Sequence, residues 1–333
     1  MDAVKLERAR DYALTGGGSG YVIRFGKLAI SWGDPHQLYD LKSTSKSIGV
    51  TALGLAILDG KIKLNDKARM HAPSLGTPPA SNAGTGWLDD ITILHLATHT
   101  AGFEKPGGYA TLLFEPGTKW SYSDSGPNWL AACITLAYQR DLRDLMFERV
   151  FASLGITRGD LTWREHQYWE QKHGSIPLRE FGSGISANID AMARIGYMYL
   201  RGGRWNGQRI IPQKFMDTVR IAIPGVVGLP ELDPERYGNA SDHYGLLWWN
   251  NADGALEGVP RDAYWSWGLY DSLIVVIPSL DIIVARAGQS FGSSWWKWWT
   301  WWTWKPDYDL LAPFLRPIAE SVMEVRAENS KLH

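Results

Sequence analysis

Ser43-Thr44-Ser45-Lys46 decides how this chain is read, because it stands where an extended, loop-like stretch gives way to a helix. In a helix, residues three apart share one face, one turn from each other. The spacing sets a hydroxyl, Ser43, beside an amine, Lys46, and such a pair is the minimum for making a nucleophile. The amine can accept a proton only when neutral. Burial and the positive end of the helix dipole both disfavour the ammonium, so Lys46 is expected to be pushed toward neutrality. The same dipole favours negative charge on the serine oxygen and on an acyl oxyanion. Two common residues at a fixed spacing recur by chance, so the pair takes its meaning from the rest of the chain.

With 333 residues the chain can bury a large core, as one large domain or two smaller ones. Lys and Arg together number 34 against 35 for Asp and Glu, so no basic field exists to draw nucleic acid. No run of about 18 apolar residues offers a spanning helix. Met1 to Arg10 is polar and mixed in charge, unlike the apolar core of a secretion signal. The compartment stays open between the cytoplasm and, were a leader already removed, the periplasm or the outside. Cys133 is the single cysteine, which rules out an internal disulfide. It stands in an apolar helical stretch and reads as a buried structural thiol. Tryptophan is the unusual residue, at 18 in all, with seven between Trp295 and Trp304.

Gly20 to Trp32 reads as a hairpin turning near Phe25-Gly26. A helix is expected over Thr44–Leu58, ended by Asp59-Gly60. Pro73 to Gly86 reads as surface loop, Ile91 to Thr98 as helical, and Pro116-Gly117 as a turn. Leu130 to Gly155 looks helical with a break near Arg140-Asp141, and Ile189 to Arg201 reads as an amphipathic helix. Ala263–Tyr270, Ser272–Ile277 and Ile282–Ala287 read as strands, the last two joined at Pro278–Asp281, and a final helix covers about Tyr308–Arg326. Strands at both ends with helices between predict an α/β fold. An antiparallel sheet built from both chain ends would be flanked by helices, with a mainly helical region inserted. The expected division is 1–65 with 180–333 for the sheet part and 66–179 for the insertion.

After Ser43–Lys46 come His99-Thr-Ala-Gly102, Glu115-Pro-Gly-Thr118, Tyr122-Ser-Asp124, Gly182-Ser-Gly184 and Ser266-Trp-Gly268. With these markers in order, the chain resembles the serine β-lactamase and penicillin-binding-protein family. The nearest branch holds class C β-lactamases, D-Ala-D-Ala carboxypeptidases and their esterase relatives. The resemblance implies Ser43 as acylated nucleophile and Lys46 as proton shuttle. Tyr122 would be the general base toward the serine and the acid toward the leaving group, since a phenol beside a cation loses its proton more readily. It implies an oxyanion hole from the backbone N–H groups of Ser43 and Leu269. Asp124, Ser266, Trp267, Gly268 and Gln289 would line the substrate site, Gln289 at the rim. The chain departs from the family twice. Asp124 replaces an Asn, and should ion-pair with Lys46 and raise its pKa. Ser266-Trp-Gly268 lacks the cation that helps grip a substrate carboxylate, which leans away from β-lactams.

His99 reads as a hydrogen-bonded loop residue, because no G-x-S-x-G elbow supplies a serine for a triad. The eight histidines show no metal-binding spacing, and no cofactor is implied. The tryptophan run could pack on the final helix, form an aromatic wall extended by Trp248, Trp249, Trp265 and Trp267, touch membrane, or make an oligomer contact. The expected function is a serine hydrolase working through an acyl-enzyme, on small-molecule esters or amides with bulky apolar parts. A peptidase on D-amino-acid or non-standard peptides, a slow-turnover penicillin-binding sensor and an interaction protein remain as alternatives.

Overall fold

The hairpin forms as strands Ser19–Arg24 and Lys27–Trp32. Phe25 and Gly26 both take left-handed backbone (φ 53° and 72°), the geometry whose twist suits adjacent antiparallel strands. The computed structural model describes residues 1–292 and 308–329, with no side chains for 323–329. The tryptophan run lies outside the described residues. Ser19–Arg24 pairs on its other side with Ile282–Ala287, Val22 facing Val284. The sheet then continues through Leu273–Ile277 and Tyr264–Trp265 to Trp249–Asn250, antiparallel throughout. The chain ends thus build one sheet, and the fold is the β-lactamase/transpeptidase-like α/β architecture with flanking helices.

Leu273–Ile277 and Ile282–Ala287 are buried at every position, because helices cover both faces. On one face lies Ile189–Leu200. Its Gly196 permits close approach, since a Cβ there would meet Ile274 at 2.9 Å and Ile283 at 3.0 Å. Alternation sends Arg286 to the opposite face, where it reaches Ala13 O. That face carries the helices Ala3–Leu14 and Tyr308–Asn329, joined by Asp2 N to Ser321 O (3.0 Å) and Tyr12 Oη to Leu310 O (3.0 Å). The first helix was no part of the expectation, although its buried Leu6, Ala9 and Ala13 recur at helical spacing.

The helix expected over Thr44–Leu58 is Thr44–Gly49 followed by Thr51–Leu58. Val50 between them keeps helical angles (φ −63°, ψ −15°), so the axis runs on. The helical stretch from 130 begins earlier, as Ser125–Tyr138, and breaks at left-handed Gln139 before Leu142–Met146 and a single wide turn, Phe147–Phe151. The strand expected over Ala263–Tyr270 is regular only at Tyr264–Trp265. Beyond it the ladder persists singly, Ser266 N to Ile274 O at 3.0 Å and Gly268 N to Ser272 O at 2.9 Å. The chain then reverses through left-handed Tyr270 and Asp271. A small second sheet, Tyr39–Asp40 with Ile185–Ala187 and Leu161–Trp163, was not foreseen.

Candidate active site

The hydroxyls that follow Ser43 are buried, and each anchors the helix start to a different segment. Thr44 Oγ1 donates to Ser272 O (2.7 Å) and lies 3.1 Å from the hydroxyl of Ser266. Ser45 Oγ accepts from the N–H groups of Gly184 (3.1 Å) and Ile185 (3.0 Å). Ser47 Oγ donates to Leu247 O at 2.6 Å. The helix is fixed from three sides. Ser43 at its N-cap makes no side-chain capping bond and is only half-buried.

Lys46 is 1% exposed. Its Nζ donates to Ser43 Oγ (3.0 Å), Gly182 O (2.9 Å) and Asp124 Oδ1. An ammonium has three protons, and three acceptors stand here to take them. Burial opposes the charge, but Asp124 and then Tyr122 outweigh it, and the pKa lies above the ordinary lysine value. This corrects the expectation of a neutral lysine and follows from the carboxylate at 124. Asp124 in turn, against the effect of burial, is brought down to about 2 by Lys46 and Lys105.

Tyr122 is buried, its ring 4.4 Å from that of His99 and stacked with Tyr237 (5.8 Å) and Trp249 (6.1 Å). Lys46 Nζ stands 4.9 Å and Lys105 Nζ 5.3 Å from its centroid. His99 has left-handed backbone (φ 61°) and is the hydrogen-bonded loop residue expected. Its Nδ1 accepts from Ser123 N (3.2 Å), so Nε2 carries the proton toward Tyr244 Oη (3.0 Å). Burial, aided by Lys46, holds its pKa well below the usual value and keeps the ring neutral.

Gly268 brings the opposite wall in. A Cβ there would fall 2.2 Å from Leu41 O, 2.2 Å from Ser272 Oγ and 3.0 Å from Thr44 N, so only glycine lets the backbone lie against the helix start. Leu269, next in the chain, is half-buried. Among the described residues no acceptor takes the N–H of Ser43 or of Leu269. Beneath them Arg286 holds the turn, with Nη1 on Tyr270 O (2.6 Å) and Asp271 O (3.0 Å).

Three expected substrate contacts sit elsewhere. Ser266 is fully buried, and its hydroxyl accepts from Ile274 N at 2.8 Å and meets Thr44 Oγ1 at 3.1 Å, so it ties strand to helix. Trp267 is also buried, with Nε1 on Asp271 Oδ1 (2.9 Å) and its ring on Tyr308 (5.9 Å), because the strand's pleat turns it into the core. Gln289 is exposed at the end of Ile282–Ala287, its main chain tied to Gly16 and Arg286, and nothing described joins it to Ser43 or Lys46. Trp248 and Trp265 are core residues too, and among the described residues of the expected aromatic wall Trp249 is the one whose ring stacks with Tyr122. Lys105 was missed. No spacing marks it, and it arrives because Asp124 N bonds Lys105 O at 2.8 Å. Among the described residues no cluster of His, Cys, Asp and Glu could hold a metal.

Residues 15–295 match the model of the Beta-lactamase family, and the chain belongs to that family of serine hydrolases. An uncharacterized protein of Alkalihalophilus pseudofirmus is 22% identical over 279 residues, 77% of this chain and 74% of its own. A penicillin-binding protein homolog from Caulobacter crescentus superposes with a TM-score of 0.67 at 12% identity, over 96% of this chain and 98% of that one. A family VIII carboxylesterase gives 0.66 at 14% identity, over 97% and 98%. At such identities the structural likeness speaks for the fold.

Proposed function

We propose that the protein cleaves carboxylic esters or small amides with bulky apolar groups through an acyl-enzyme on Ser43. The observation that carries this reading is Lys46 Nζ at 3.0 Å from Ser43 Oγ, held as an ammonium beside Tyr122. A lysine whose pKa is raised is a poor base, so proton acceptance falls to the Tyr122 oxygen, with Lys46 stabilising its negative charge. Ser43 gives its proton to Tyr122 as Oγ bonds the carbonyl carbon. The N–H groups of Ser43 and Leu269 take the oxyanion, each contributing about 3 kcal/mol in sites of this kind. The bond to the leaving group breaks, and Tyr122 returns the proton to it. Water then gives a proton to Tyr122, bonds the acyl carbon, and releases Ser43, which recovers a proton from Tyr122.

The missing cation at Ser266-Trp267-Gly268 favours substrates without a carboxylate at that place. The likeness to a carboxylesterase fold agrees with this reading. The test is intact mass after treatment with a fluorophosphonate, on the native chain and on Ser43→Ala, with p-nitrophenyl ester turnover measured beside it. One adduct and turnover, both lost in Ser43→Ala, are expected. A native chain that takes no adduct overturns the nucleophile. An adduct without turnover replaces the hydrolase with a slow acylating sensor.

A further inference from the structure

We infer that Lys105 is a positioning residue of this site, restoring at Tyr122 the positive charge that Asp124 cancels. The inference rests on the roles proposed above for Ser43, Lys46 and Tyr122. Its ground is a charge count on observed geometry. Lys46 and Asp124 sum to zero, so a negative phenol oxygen would have no net countercharge between them. Lys105 Nζ lies 3.3 Å from Asp124 Oδ2 and 5.3 Å from the Tyr122 centroid, while Lys46 pairs with the other carboxylate oxygen, Oδ1. With it the cluster carries one net positive charge. A family member with neutral Asn at position 124 reaches the same total with Lys46 alone. Asp124 and Lys105 therefore act as a compensated pair.

Among the described residues whose rings contact Tyr122, namely His99, Trp120, Tyr237 and Trp249, none supplies such a charge. His99 is kept neutral by burial, and burial likewise holds Tyr237 and Tyr244 in their protonated form. Glu180, which interacts with Lys46 and Asp124, adds only negative charge when ionised. The placement of Lys105 is built in on both sides. Its carbonyl accepts Asp124 N at 2.8 Å, and Glu104 O accepts Ser123 Oγ at 2.9 Å. Its side chain is 39% exposed, so it stands where the cluster meets solvent and its effect is partly screened.

The experiment is a double-variant cycle on the full chain, reading kcat/KM for a p-nitrophenyl ester against pH. Lys105→Met is expected to lower kcat/KM about tenfold and to move the acidic limb up by about one pH unit, the low end for loss of a nearby charge. Lys105→Arg should keep the native limb. Lys105→Met combined with Asp124→Asn removes both charges and should return the limb to its native position. Strictly additive losses in the double variant, or a limb unmoved in Lys105→Met, would overturn the inference. Fluorophosphonate labelling of Ser43 separates the two levels. Labelling that persists while the cycle shows no coupling sinks Lys105 alone, whereas absent labelling of the native chain sinks the reading beneath it.

Discussion

Glu180 shows how far a single residue's surroundings can set its chemistry. It lies two residues before Gly182, whose carbonyl takes a Lys46 proton, and its side chain is fully buried. Arg164 Nη2 approaches Oε1 to 2.6 Å, yet neither carboxyl oxygen has an aligned hydrogen bond. Burial, against the pull of Arg164, raises its pKa to about 7. The folded state thus holds this proton more tightly than the unfolded chain. Its contribution to stability is complete below the unfolded pKa, near 4.3, and is lost as pH rises through about 7. Glu180→Gln is expected to match the native chain in urea melts near pH 4 and to exceed it by about 3–4 kcal/mol near pH 9. Equal differences at the two pH values would show that Glu180 does not titrate with unfolding. Asp124 illustrates the converse. Its identity was plain in the sequence, and so was its pairing with Lys46, but the second lysine that completes the pair was not.

At the scale of elements, the site is a contact between the start of one helix and the frayed end of one strand. Thr44, Ser45 and Ser47 hold the helix, and Gly268 sets how near the strand comes. Gly268→Ala would place a methyl 2.2 Å from Leu41 O, and backbone cannot move aside as a flexible side chain can. The strand must retreat and carry Leu269 N–H with it. The expected result is a fall in kcat of about 10²–10³ with KM little changed, the signature of a lost oxyanion donor. A variant whose KM rises while kcat holds would instead place Gly268 in ground-state binding. The hairpin at 19–32 and the helix at 189–200 were legible because a turn signal or a helical period runs through them. Tyr39–Asp40, Ile185–Ala187 and Leu161–Trp163 were not, because two or three residues carry no period.

For the whole molecule, the central sheet closes only when Ser19–Arg24 finds Ile282–Ala287, so native stability depends on a pairing between the chain's ends. One continuous apolar core runs from Val275 in that sheet through Leu53 to Phe103, Cys133 and Leu154 in the helical region. A shared core couples the melting of all its parts. Urea unfolding followed by tryptophan fluorescence and by far-ultraviolet circular dichroism is expected to give coincident midpoints. An earlier loss of helical signal would show that residues 66–179 melt apart from the sheet. By itself the sequence determined that Ser43 and Lys46 stand side by side, because their spacing is local and a helix converts spacing directly into proximity. It also located five of the sheet's six strands, since apolar runs and turn residues are local signals, but not the two-residue Trp249–Asn250. Only the tertiary structure decided which side chains stand around that pair. It turned Trp267 and Ser266 inward and brought a second ammonium, Lys105, to the Asp124 that the sequence had already paired with Lys46. Burial and electrostatic pairing depend on what distant segments bring together, and no window of sequence holds that information.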